Sequence, residues 1–167
     1  VGGWETEGIE LVQNPEKQSE YMLLSQAISS TDAIKIVRLE NGVIKDYYGN
    51  GTVKDDVSVD VNYDDQGNIL LPTDIYNFYF NTEEPEKKLW IEDATDTYTR
   101  DVTNTFGTIC LPYGSVSTSG AIFYEVAGKE EGAVYLVSVT TLDAGKPYIF
   151  EATASQIKVV YNKNTEV

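Results

Sequence analysis

Asp46-Tyr47-Tyr48-Gly49-Asn50-Gly51 sets two adjacent aromatic rings directly before a turn. Glycine and asparagine reach positive φ at little cost, so the two tyrosines stand at a strand end beside a loop. Rings in such a place can face a ligand and hold it by stacking, with nearby polar groups supplying hydrogen bonds. That chemistry needs no acid, base or metal. The pair equally fits ordinary strand residues, one in the core and one half exposed.

Other chemistries lose their residues one by one. The chain has no histidine and a single cysteine, Cys110. Histidine-dependent triads, Cys/His zinc sites and internal disulfides are therefore excluded. Asp55-Asp56 and Glu83-Glu84 are carboxylate pairs, but adjacent residues point apart, whereas a glycosidase needs two carboxyls facing each other across a cleft. Asp60, Asn62, Asp64 and Asp65 form an oxygen-rich run. Read as a calcium loop from Asn62, however, it puts Thr73 where the twelfth-position glutamate belongs, so a solvated hairpin is the simpler reading. Cys110, between Ile109 and Leu111, reads as a buried inert thiol. The expectation is a protein that is not an enzyme and uses no cofactor or metal.

Charge narrows the partners. With 27 acidic and 12 basic side chains the formal net charge is −15. Such a surface repels phosphate backbones and anionic membranes, so nucleic acid is not an expected partner. About two-thirds of the acidic residues precede Asp93. With 41% hydrophobic and 11% aromatic residues, 167 residues suffice for one large or two small cored domains. No signal peptide, lipid anchor or long apolar run is visible, so direct membrane insertion by this segment is not expected. The abrupt start at Val1-Gly2-Gly3-Trp4 and the unpunctuated end read as a piece of a longer protein.

The elements that must hold the tyrosines have period two. Residues 20–24, 33–39, 43–48, 57–61, 68–71, 75–80 and 88–91 alternate or run apolar between Gly, Pro, Asn, Asp and Ser boundaries, which predicts strands at β-sandwich spacing. Asn41-Gly42 between two such runs is a hairpin signal, and it places the strand of Lys35 beside that of Tyr47 and Tyr48. Alternation after Lys87 turns Leu89 and Ile91 to one face and Lys88, Trp90 and Glu92 to the other. Trp90 is then either covered by a neighbouring domain or offered to a ligand. Residues 93–96 read as a linker. Beyond it, strands are predicted at 97–103, 107–112, 121–127, 133–140, 146–152 and 156–161, with no amphipathic helix of useful length. The prediction is an all-β chain of two sandwich-like domains, residues 1–92 and 97–167.

Two resemblances add to this reading. Gly-Gly-Trp-Glu at 2–5, the Glu-Tyr-Met-Leu strand at 20–23, Ile-Lys-Ile-Val at 34–37, Asp-Tyr-Tyr-Gly at 46–49, Asp-Gln-Gly-Asn-Ile at 65–69 and Tyr-Asn-Phe-Tyr-Phe-Asn at 76–81 follow one another in an order that resembles the starch-binding modules of Bacteroidetes outer-membrane lipoproteins. An apolar strand usually precedes the Gly-Trp of those modules; here only Val1 could represent it. Tyr-Thr-Arg-Asp-Val-Thr at 98–103, Gly-Thr-Ile-Cys-Leu-Pro at 107–112 and Ala-Gly-Lys-Pro-Tyr at 144–148 resemble a β-rich accessory domain of surface and secreted proteins from the same bacteria. The accessory family normally continues for a few more strands, which would make residues 97–167 a truncated copy. The resemblances imply an extracellular, cell-surface protein whose signal and anchor lie outside this chain. Its partner would be an oligo- or polysaccharide, α-glucan foremost, with other domains or copies of the protein as further partners. They also imply a shelf in which Trp4 joins Tyr47 and Tyr48, with Lys35, Asp46 and Asn50 in reach as hydrogen-bonding groups. The competing expectation is a structural segment of a bacterial surface, appendage or phage protein with no sugar ligand.

Overall fold

The computed structural model describes residues 8–165, and these form an all-β, sandwich-like fold with no α-helix among them. Contacts divide the chain into two compact units, Val1–Ala94 and Thr95–Val167.

In the first unit the strands are β1 (Val12–Gln13), β2 (Glu20–Ile28), β3 (Ile36–Glu40), β4 (Val43–Tyr48), β5 (Asn62–Tyr63), β6 (Ile69–Leu70), β7 (Asp74–Asn81) and β8 (Leu89–Asp93). An antiparallel sheet runs in the order β1-β2-β7-β8, and β3-β4 and β5-β6 are two-stranded ribbons. Alternation decides which side chains of the sheet turn inward: Tyr76, Phe78 and Phe80 of β7 and Leu89 and Ile91 of β8 are buried with Ile28, Val53, Ile69 and Leu71. Trp90 and Glu92 take the other face, where Trp90 is half-buried and cross-strand from Tyr79, whereas Lys88, just ahead of β8, reaches the ring of Tyr48.

The Asn-Gly signal holds at the backbone level. Asn41 and Gly42 have φ of 52° and 74°, the pair of left-handed residues that a two-residue hairpin of matching twist requires. Residues 57–61 are a correction. Val57, Val59 and Val61 do pack toward the core while Ser58 and Asp60 face out, but the segment pairs with no strand of the described residues. Period two reports which side chains turn inward and leaves the destination of the main-chain hydrogen bonds undetermined.

The second unit contains β9 (Thr95–Asp101), β10 (Phe106–Cys110), β11 (Ser115–Ser119), β12 (Ala121–Glu130), β13 (Ala133–Val139), β14 (Pro147–Ala152) and β15 (Gln156–Asn162), then a 3-10 turn at Lys163–Thr165. Its sheets have the orders β10-β14-β12-β13 and β11-β15-β9, all antiparallel. Ile109, Leu111, Phe123, Leu142, Tyr148, Phe150, Ile157 and Val159 form the core. Because Ile109 and Leu111 take the inward positions, Cys110 between them is exposed, which corrects the expectation of a buried thiol. At 93–96, Asp93 closes β8, Ala94 is fully buried and donates its N–H to the Ile75 carbonyl, and Thr95 opens β9.

Candidate functional site

The hairpin fixes the site's geometry. Register pairs Ile36 with Tyr48, Val37 with Tyr47 and Arg38 with Asp46. Neighbours along β4 point to opposite faces, so the two tyrosines part. Tyr48 turns toward the core, its ring centroid 4.7 Å from that of Phe80, with the Lys88 ammonium 5.6 Å from its centroid. Tyr47 turns outward and keeps 55% of its surface exposed. Lys35, two residues before Tyr47's cross-strand partner, lies on that outer face. Its ammonium stands 5.7 Å from the Tyr47 centroid, within cation–π range, and donates to the Gln66 carbonyl at 3.2 Å.

The turn after the tyrosines is docked rather than dangling. The Asn50 N–H donates to the Gly67 carbonyl at 2.8 Å, and the Thr52 N–H closes the turn on the Gly49 carbonyl at 3.1 Å. A Cβ at Gly49 would fall 2.2 Å from the Gly67 oxygen, so only glycine permits this approach. The opposing loop is held by Asp64, whose Oδ1 accepts from the N–H groups of Gln66 and Asn68 at 2.9 and 2.8 Å. Above all the Asn68 N–H bond holds the Asp64 carboxyl below the usual carboxylate range. The carboxylate of the supposed calcium run is thus engaged in shaping its own loop.

Tyr47, Lys35 and Asn50 therefore gather along one strand end. Asp46 lies on the opposite side of β4 from Tyr47, with its carboxylate 2.6 Å from Arg38 Nε across the hairpin. Tyr48 belongs to the core side. Trp4 lies outside the described residues.

A polar groove continues from the turn and was not foreseen in the sequence. It has a volume of about 320 Å³, and its wall includes Asn50, Gly51, Lys54, Asp55, Tyr63 and Lys87. Lys87 pairs with Asp55, and Lys54 with Glu84 at 3.1 Å. Val57, Val59 and Val61 supply its apolar floor. The available signal was the clustering of Lys54 and Asp55 just after the turn, but Tyr63 and Lys87 reach the groove only through tertiary packing. No protein-family model, curated protein or solved structure matches the chain.

Proposed function

We propose that this chain is a non-catalytic carbohydrate-binding segment of an extracellular, cell-surface protein, and that its ligand is an α-glucan or a closely similar glycan. The observation that carries the reading is Tyr47: a large ring, more than half exposed, held by the Lys35 ammonium at a strand end where Asn50 leads into a polar groove. One sugar ring stacks its C–H face on Tyr47, and the hydroxyls of the next unit meet the amide of Asn50 and the Lys54, Asp55, Tyr63 and Lys87 groups of the groove. Flat, aromatic and polar contacts of this kind hold a polysaccharide without altering it. In the experiment that tests this reading, the intact chain and Tyr47→Ala are run through native gels with and without amylopectin. The proposal expects retardation of the intact chain that is lost in the variant, and unretarded migration of the intact chain refutes the α-glucan.

A second reading, a structural segment without a sugar ligand, is favoured by a different observation. Strand β13 of the second unit presents apolar side chains on both faces at the open edge of its sheet.

A further inference from the structure

The hairpin β12–β13 turns through Glu131 and Gly132, whose φ values of 48° and 86° give a tight two-residue connection between Glu130 and Ala133. Its second strand is the last in the order β10-β14-β12-β13, so one side of β13 pairs with β12 and the other with no strand of the described residues. Val134, Tyr135, Leu136 and Val137 are 54%, 51%, 42% and 50% exposed, and Val126, adjacent to Leu136 in register pairing, is 60% exposed. Alternation sends Tyr135 and Val137 to one face and Val134 and Leu136 to the other, so the strand is apolar on both.

Exposed edges are ordinarily protected from pairing by a charge, a proline, a bulge or brevity. β13 has none of these: it is seven residues long, its irregularity lies in β12 between Val126 and Gly128, and residues 132–142 contain no proline and no charged side chain. Within β13 itself no charged side chain interrupts the open edge.

We propose that β13 is a docking edge for β13 of a second copy of this chain, paired antiparallel about a two-fold axis. Unpaired main-chain N–H and C=O groups are satisfied by another strand. An apolar, uncharged strand packs best against the apolar side chains of this edge, and β13 is itself such a strand. With Leu136 opposite Leu136, Tyr135 of each copy faces Val137 of the other, Val134 faces Ser138, and Ala133 faces Val139. The arrangement yields two aromatic-to-β-branched pairs by symmetry and brings no like charges opposite one another. Two four-stranded sheets become one of eight strands.

The contact is small, below the roughly 1,200 Å² of stable complexes, so the association is expected to be weak and concentration-dependent. The acidic copies repel each other elsewhere, so salt strengthens the association by screening. Sedimentation equilibrium of the whole chain across about 5–500 μM tests the proposal. The expected result is a monomer–dimer equilibrium that tightens from low to high salt, weakens at least tenfold in Leu136→Lys and Val134→Lys, and is unmoved in Phe106→Lys on the opposite edge of the sheet. Unchanged circular dichroism in the lysine variants excludes misfolding as the cause of any loss. In a Cys110→Ser background, Leu136→Cys is expected to form a disulfide dimer on mild oxidation and Ser119→Cys is not. A wild-type chain that stays monomeric throughout overturns the proposal and leaves the edge to a strand of another protein. Growth past the dimer with loss in Phe106→Lys overturns it too, by showing β13 paired to β10 head to tail. Polysaccharide retention reads Tyr47 and not β13, so the two proposals fail separately.

Discussion

Tyr47 and Tyr48 are neighbours in sequence with opposite work to do, and truncating each separates the two roles. Tyr48 packs against Phe80 and the Leu89–Ile91 core, but it is only partly buried. Full truncation of a buried aromatic costs about 3–5 kcal/mol, so a half-buried ring costs roughly 2, to which loss of the tilted pair with Phe80 adds about 0.5–1. Tyr48→Ala is therefore expected to destabilise the first unit by about 2–3 kcal/mol. Tyr47→Ala removes an exposed ring and its weak contact with Lys35, and is expected to cost no more than about 0.5 kcal/mol. Trp90 stands half-buried on β8 of this unit, so tryptophan fluorescence in urea reports its unfolding. With a slope of about 1.5–2 kcal/mol per molar, the Tyr48→Ala midpoint falls by roughly 1–2 M and that of Tyr47→Ala by under about 0.3 M. Equal shifts for the two variants, or a larger one for Tyr47→Ala, would refute the assignment of one ring to the core and the other to the surface.

Gly49→Ala forces a Cβ to within 2.2 Å of the Gly67 oxygen; a loss of about 1–3 kcal/mol is expected by the same fluorescence measurement, with polysaccharide retention reduced as the turn shifts. Burial, then the neighbouring Glu92 charge that accepts its hydroxyl at 3.2 Å, pushes Tyr79 from 10 up to about 12. The unfolded chain therefore loses this proton first: the contribution is intact below pH 10 and declines as the pH rises through about 12. Glu92→Gln is expected to move the Tyr79 transition down in a tyrosinate absorbance titration; no movement would dissociate the two groups. Cys110, exposed on β10, is expected to react with one equivalent of a thiol reagent in the native chain without denaturant, and Cys110→Ser to leave the urea midpoint followed by circular dichroism within experimental error.

What the sequence made legible was local. Asn41-Gly42 dictates its hairpin through backbone conformations open to few residues, and with it the register that brings Lys35 to Tyr47. The same register turns Tyr47 and Tyr48 to opposite faces and commits Asp46 to Arg38, a step that strict alternation along β4 already contained. Cys110 was open to the same argument: Ile109 and Leu111 claim the inward phase, and the apolar character of a thiol misleads about its direction. Non-local pairing was not legible. Val57, Val59 and Val61 have the pattern of a strand without the partner, whereas Ser115–Ser119 has a partner, β15, without an apolar pattern. The apolar run of β13 looks like a buried strand until topology leaves it at an edge. The groove wall likewise joins Asn50 to Tyr63 and Lys87, which meet only through the packing of the 52–54 segment on β8.

The central claim is that Tyr47 is a sugar-stacking surface. Isothermal titration of the intact chain with a linear maltooligosaccharide, set beside Tyr47→Ala and Tyr47→Trp, tests it most directly. The account expects measurable heat for the intact chain, binding retained or strengthened with tryptophan and lost with alanine, and all three proteins unfolding at nearly the same urea concentration. Binding that survives Tyr47→Ala undiminished, or no binding by any of the three, contradicts it.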